Sequence, residues 1–313
     1  MGLKHQLIAR GKQLGKRLKP YLSWVILGST LAFLAQALKK HWSEAAAIQI
    51  SSLSWAGLTI ALGFTLLAHI WGGLLWHLIL REFDQFPSIP WCVLVYLKTN
   101  IAKYLPGNVW HFYGRIWAAK TNHIPLGIAT LSVVLEPLLF AAAALLLTVG
   151  TNQNLNGMLQ FLGLVVVLLL LLPQALNPLL QYLTRLKAKI KGDSSGEEPE
   201  LQLKRYPFIP LLGGLIFLGL RGFGFLLTIR ALHPISIAQI PTLLSTFSLA
   251  WLLGLVVPGA PGGIGVFEAT VVTLLDQQFS PGILLGSVGL YRLISTLAEA
   301  SGAGLAWLDE RLS

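Results

Sequence analysis

The sequence predicts an all-α polytopic membrane protein, with about six transmembrane helices plus two re-entrant helical hairpins arranged as an inverted repeat. Three observations carry this. Of 313 residues, 54% are hydrophobic and only 12% are charged, whereas soluble domains carry about 25% charged residues. The cations gather in short connecting stretches and leave long apolar runs between them, the pattern of the positive-inside rule. Two apolar regions are interrupted by Pro and Gly, at Tyr104–Arg115 and at Pro258–Glu268. Backbone broken at membrane depth must be buried in protein or line a wet cavity, because lipid cannot satisfy free N–H and C=O groups.

A net charge of +10 in a soluble chain would point to nucleic acid. Here it marks cytoplasmic loops, and no nucleic-acid partner is expected. The single cysteine, Cys92, excludes a disulfide framework and fits a small buried hydrophobe.

Residues 1–20 hold six cations and no acid, which makes them a basic cytoplasmic arm suited to anionic headgroups. Tyr21–Leu38 is just long enough to span. Ala35-Gln36-Ala37 also has the form of a signal-peptide cleavage site, although the basic region before it is long for one. Trp55–Leu80 is the second span, with Trp42 and Trp55 at its outer interface. Pro87–Lys120 is too polar for an ordinary span and is broken at Pro106-Gly107, so it reads as a hairpin that dips in and returns. Ile124–Gly150 is the third span. Met158–Leu183 is the fourth, with Pro173 and Pro178 kinking or ending it near the inner face. Arg185–Arg205 is the most polar stretch, with a flexible Gly/Ser/Glu run inside it. Pro207–Leu232 is the fifth span, Ser236–Asp276 the second broken segment, and Pro281–Leu308 the last span.

The chain is thus one integral membrane domain over 1–313, with the arm at 1–20, a first half at 21–183, a linker at 184–206 and a second half at 207–313. Eighteen of the 23 Lys and Arg lie on the cytoplasmic side of this layout, which places both termini inside a cell (plasma or inner) membrane. Three spans separate the hairpins, so they enter from opposite faces. Ser88-Ile89-Pro90 before one break and Ser236-Ile237 with Pro241 before the other suggest a repeat.

Charges inside spans cost at least roughly 2.5–3.5 kcal/mol each on insertion scales. Glu136, Arg221, Glu268, Arg292 and Glu299 are such charges. At about 1.5 Å per residue, Glu136, Arg221 and Arg292 fall near the midplane. Two readings stand side by side. In one, arginines attract a phosphate in a polar pathway. In the other, the charges form structural ion pairs, such as Arg292 with Glu268 or Glu136. Gly262-Gly263 opens a helix whose N-terminus suits an anion, and Glu268 in its first turn either caps that helix or touches substrate. Around the first break, Lys103, Tyr104, Asn108, Trp110, His111, Tyr113 and Arg115 form an aromatic and basic cluster that would bind headgroups at the cytoplasmic face or anchor the interface. His69 and His77 lie eight apart without a third ligand, so no metal is expected. No catalytic motif or cofactor site is visible, and the chain is not expected to be an enzyme.

Three motifs taken together resemble a known family. They are Lys103-Tyr104-Leu105-Pro106-Gly107 running to Gly114-Arg115, then Pro261-Gly262-Gly263-Ile264-Gly265-Val266-Phe267-Glu268, then Leu290-Tyr291-Arg292-Leu293. They are similar to the flippase-like transmembrane domain of the lysylphosphatidylglycerol synthase family. The resemblance implies a protein that moves or binds lipids, with Pro106, Gly107, Gly114, Arg115, Gly262, Gly263, Glu268 and Arg292 at functional positions. Glu136 matches an acidic position where the family usually has Glu-Arg, but Pro137 follows it here. The expected form is stand-alone, ending at Ser313 without the synthase domain, so aminoacyl transfer is not carried over.

The leading expectation is a lipid translocase. It would hold an anionic or modified phospholipid or polyprenyl headgroup at Arg292, Arg221, Glu268, Glu136, Gly262, Gly263, Pro106, Gly107 and Arg115. The alternative is an intramembrane enzyme or enzyme subunit acting on a lipid-linked substrate, with Glu268 or Glu136 as base. Expected partners are membrane lipids and a lipid-modifying enzyme or glycosyltransferase.

Overall fold

Ser51 begins the first long helix, its hydroxyl accepting the Ser54 N–H at 3.1 Å and supplying one partner that the helix start lacks. This helix belongs to a computed structural model that describes residues 36, 39, 51–105, 109–149, 157–178, 202–257 and 260–312. The basic arm, all but residue 36 of the span at Tyr21–Leu38, Pro106, Gly107 and most of the linker lie outside the described residues.

Helix α1 is Ser52–Arg81. Ser88 caps α2, Ile89–Asn100, which continues into a 3₁₀ turn at Ile101–Tyr104. After the first break come α3, Trp110–Thr121, and α4, Leu126–Thr148. Then follow α5, Gly157–Leu170, and α6, Phe208–Leu232. A 3₁₀ turn at Ile237–Gln239 leads into α7, Ile240–Val256. A second 3₁₀ turn, Pro261–Gly263, precedes α8, Val266–Leu275, and α9, Pro281–Leu312. No strand occurs among the described residues.

Five of these segments are long and apolar enough to cross a membrane: Ser52–Arg81, Leu126–Thr148, Phe208–Leu232, Ile237–Val256 and Pro281–Leu312. The structure differs from the sequence expectation at two places. The first limb of the second broken segment reaches spanning length. The fourth expected span is not one helix, because α5 stops at Leu170 and a helical turn restarts over 173–178. Pro173, which has no N–H, takes the first position of that turn, where a helix tolerates it.

Contacts fix the helix directions. Gly72 of α1 lies against Tyr96 and Gly73 against Val93, while His69 reaches Asn100, so α2 runs antiparallel to α1. Gly213 lies against Leu75 and Gly224 against Thr65, so α6 is antiparallel to α1 as well. Small residues let these helices approach closely, the usual device where lipid supplies no hydrophobic drive between them. Trp71 Nε1 donates to the Gly213 carbonyl at 2.8 Å and Trp76 Nε1 to Ser132 Oγ at 3.0 Å, which satisfies both indoles inside the bundle.

The two limbs at each break pack on one another, α2 on α3 and α7 on α8. The two breaks also touch, since a Cβ on Gly262 would lie 2.9 Å from the Tyr104 ring. One core joins most of the helices, with Trp76, Leu139, Phe225 and Phe247 fully buried. Large apolar side chains such as Leu67, Phe161, Val166, Phe223 and Leu297 face outward, as on a surface solvated by lipid.

Candidate functional site

Helix α3 has two unlike faces. Trp110, Tyr113 and Trp117 are exposed, while His111, Arg115 and Ala119, spaced four apart, are buried. This spacing turns Arg115 inward. Arg115, 2% exposed, donates through Nη1 to Glu136 Oε2 of α4. The Tyr96 hydroxyl donates to the other carboxylate oxygen at 2.9 Å. Arg115 also sits over the Tyr96 and Phe112 rings, 4.7 and 5.4 Å from their centroids. The expected surface cluster is therefore split: Trp110 and Tyr113 face outward, Tyr104 lies against the second break, and Arg115 and His111 are interior. Pro137 follows Glu136 inside α4, and the arginine that answers Glu136 comes from α3.

A second group gathers around Glu299 of α9, 3% exposed. Lys103 Nζ donates to Glu299 Oε1 at 2.6 Å. His69 Nε2 lies 3.2 Å from the same oxygen and Arg221 Nη1 3.6 Å from it. The same His69 nitrogen is 2.9 Å from Arg221 Nη1. Arg221 Nη2 donates to Ser295 Oγ at 3.3 Å, and its Nε has no partner among the described residues.

The third group closes the second break. Gly262 and Gly263 have φ of 59° and 73°, a left-handed backbone that costs other residues about 1–2 kcal/mol. Their carbonyls point at Arg292, which donates to Gly262 O at 2.9 Å and Gly263 O at 3.5 Å. Arg292 Nε donates to Glu268 Oε1 at 2.7 Å, and Nη2 adds a second bond to that oxygen. The other oxygen, Glu268 Oε2, accepts the Gly265 N–H at 2.5 Å. Glu268 thus caps its own helix and pairs with Arg292, both structural roles.

These groups surround a cavity of about 660 Å³, within the range of small-ligand sites. Arg115, Arg221, Arg292, Lys103, Glu136, Glu299, Gly262 and Gly263 line it, and Glu268 lies behind Arg292, off the wall. The remaining wall includes Leu138, Ala141, Trp251, Leu255 and Val256. Four cations line the cavity with two carboxylates, and counting Glu268, which pairs with Arg292 off the wall, leaves a surplus of one positive charge with the histidines neutral. Sequence reasoning placed Lys103 at a surface, weighed His69 only as a metal ligand and left Glu299 without a partner. A count of interior charges supplied the one available clue, an acid still lacking a cation.

An all-helical bundle with an apolar exterior and ion-paired charges inside is a multi-pass membrane protein. The family described as lysylphosphatidylglycerol synthase TM region matches residues 22–300, and the chain belongs to that family. No curated protein matches it.

Proposed function

We propose that the protein is a lipid translocase that takes an anionic or modified phospholipid or polyprenyl headgroup into this cavity. The observation that carries the reading is the mixed wall. It combines surplus positive charge and a buried guanidinium with an unpartnered Nε with apolar side chains from α4 and α7 that suit the apolar part of a lipid. Membership of a lipid-linked membrane family supports it.

In this reading the two broken segments are re-entrant hairpins that enter from opposite faces as halves of an inverted repeat. Both termini are cytoplasmic, the membrane is the plasma or inner membrane, and a lipid-modifying enzyme or glycosyltransferase delivers the substrate. Transport is favoured over catalysis because both candidate bases are engaged. Glu136 is held by Arg115 and Tyr96, and Glu268 by Arg292 and the Gly265 N–H.

The test is flipping of a fluorescently labelled anionic phospholipid in proteoliposomes. The protein is expected to accelerate it, and Arg221→Gln to slow it about tenfold or more, the value of one charge-assisted hydrogen bond. Flipping no faster than in protein-free vesicles would overturn the function. Flipping indifferent to Arg221→Gln would overturn the site.

A further inference from the structure

His69 Nε2 faces two partners that it cannot serve together. Arg221 Nη1, 2.9 Å away, can only donate, so a bond to it requires a bare nitrogen. Glu299 Oε1, 3.2 Å away, can only accept while ionised, so a bond to it requires a hydrogen on the same nitrogen. The opposite ring nitrogen, Nδ1, is 3.3 Å from the Asn100 side-chain amide; it carries a hydrogen both when Nε2 is bare and when the ring is doubly protonated, so in both states it donates to the amide oxygen, turned toward it. The ring is therefore supported in both states, and the difference between them is a hydrogen on Nε2.

The charges around the ring decide what accompanies that hydrogen. Facing His69 are Arg221 from α6, Glu299 from α9, and Lys103 from the 3₁₀ turn after α2. With His69 neutral, two cations and one carboxylate leave one surplus positive charge. Adding a proton makes it two, in a cluster whose three ion partners are each buried or nearly so. Such a surplus is costly without a counter-charge. Adding hydrogen to Nε2 also turns the Arg221 contact into donor against donor, which releases a guanidinium that already has one unpartnered nitrogen and lines the cavity.

We infer that His69 couples proton uptake to anion capture: as Nε2 takes a proton and turns to Glu299, Arg221 is released to bind a phosphodiester monoanion entering the cavity. The proton adds one positive charge and the phosphodiester removes one. Filling the site therefore leaves the interior charge unchanged, and the proton travels with the anion. This rests on the lipid-binding reading above and adds the ion that would accompany the headgroup. The sign follows from the linkage: the form that binds holds one more proton, so binding tightens as pH falls.

Calorimetric titration of the detergent-purified, full-length protein tests this. The probe is dihexanoyl phosphatidylglycerol below its micelle concentration, a phosphodiester with constant charge over the range used. Titrations in two buffers of different ionisation enthalpy count the protons taken up. Close to one proton per anion is expected, with affinity rising up to about tenfold per unit fall between about pH 7.5 and about pH 5.5, the slope that one linked proton gives. Dimethyl phosphate, the same anion without tails, should bind more weakly with the same proton count. Uptake seen only with the tailed lipid would mean that the proton follows tail burial, and the assignment fails. His69→Gln keeps an acceptor for Arg221 but cannot charge, so its binding should lose the pH slope. The wild-type proton count stands even if that variant does not fold. Binding without proton uptake overturns the coupling and leaves lipid binding intact. No binding at either pH overturns both.

Discussion

Arg115 and Glu136 show what a buried charge demands of its neighbours. Each is 2% exposed, and each is the other's only counter-ion among the described residues. Removing one partner leaves an uncompensated interior charge, which costs about 3–5 kcal/mol, whereas replacing both by apolar groups is often near neutral. Arg115→Leu is therefore expected to lower the thermal stability of the purified protein sharply, and Arg115→Leu with Glu136→Leu to recover most of the loss. A double variant as unstable as the single one would show that the pair does more than neutralise itself. At this scale the sequence was informative but incomplete. The interior charges were legible because charged residues are rare within apolar runs, and Arg292 with Glu268 was one of the pairings considered. Lys103 with Glu299 was not legible. The two residues are 196 positions apart, and only the path of the broken segment brings Lys103 to the depth of α9.

Helices come next, and their spacing is set by what is missing from them. A Cβ on Gly73 would stand 2.5 Å from the Val93 Cα, a backbone atom that cannot turn aside, whereas a Cβ on Gly63 would meet nothing within 4 Å. Gly73→Ala should therefore push α1 and α2 apart and destabilise by about 1–3 kcal/mol, the usual cost of overpacking. Gly63→Ala in the same helix should be neutral or stabilising by about 0.5–1 kcal/mol. Chemical or thermal unfolding of the two variants side by side decides it, and equal effects would refute the close-approach account. Gly263→Ala combines a left-handed backbone with a contact at 3.2 Å to the Gly254 Cα, and it should disturb the second break and slow lipid flipping together. Helices α1, α4, α6 and α9 were legible from their apolar runs. The shortened α5 was less so, because a proline in an apolar run marks either a kink or an end, and composition does not distinguish them.

Across the whole molecule, the layout assigns Lys120 and Lys204 to one side of the membrane and Ser52 and Gln277 to the other. All four are exposed, and Cys92, the only native cysteine, is fully buried, so background labelling should be low. Single cysteines at Ser52 and Gln277 should react with an impermeant maleimide on intact cells. Those at Lys120 and Lys204 should react only after permeabilisation. Labelling of all four from one side would overturn the arrangement of spans. Sequence pattern located both breaks but not their meeting, since nothing in the local composition near Pro106 refers to residues around Gly262. That meeting depends on α9. Arg292 holds the second break and Glu299 holds the first, through Lys103. The two positions are seven apart on one unbroken helix, about 10 Å along its axis. Both tips are thus pinned to a single stiff rod. Neither can travel alone without breaking a bond to α9, so a turn or slide of that rod would carry both tips in one stroke.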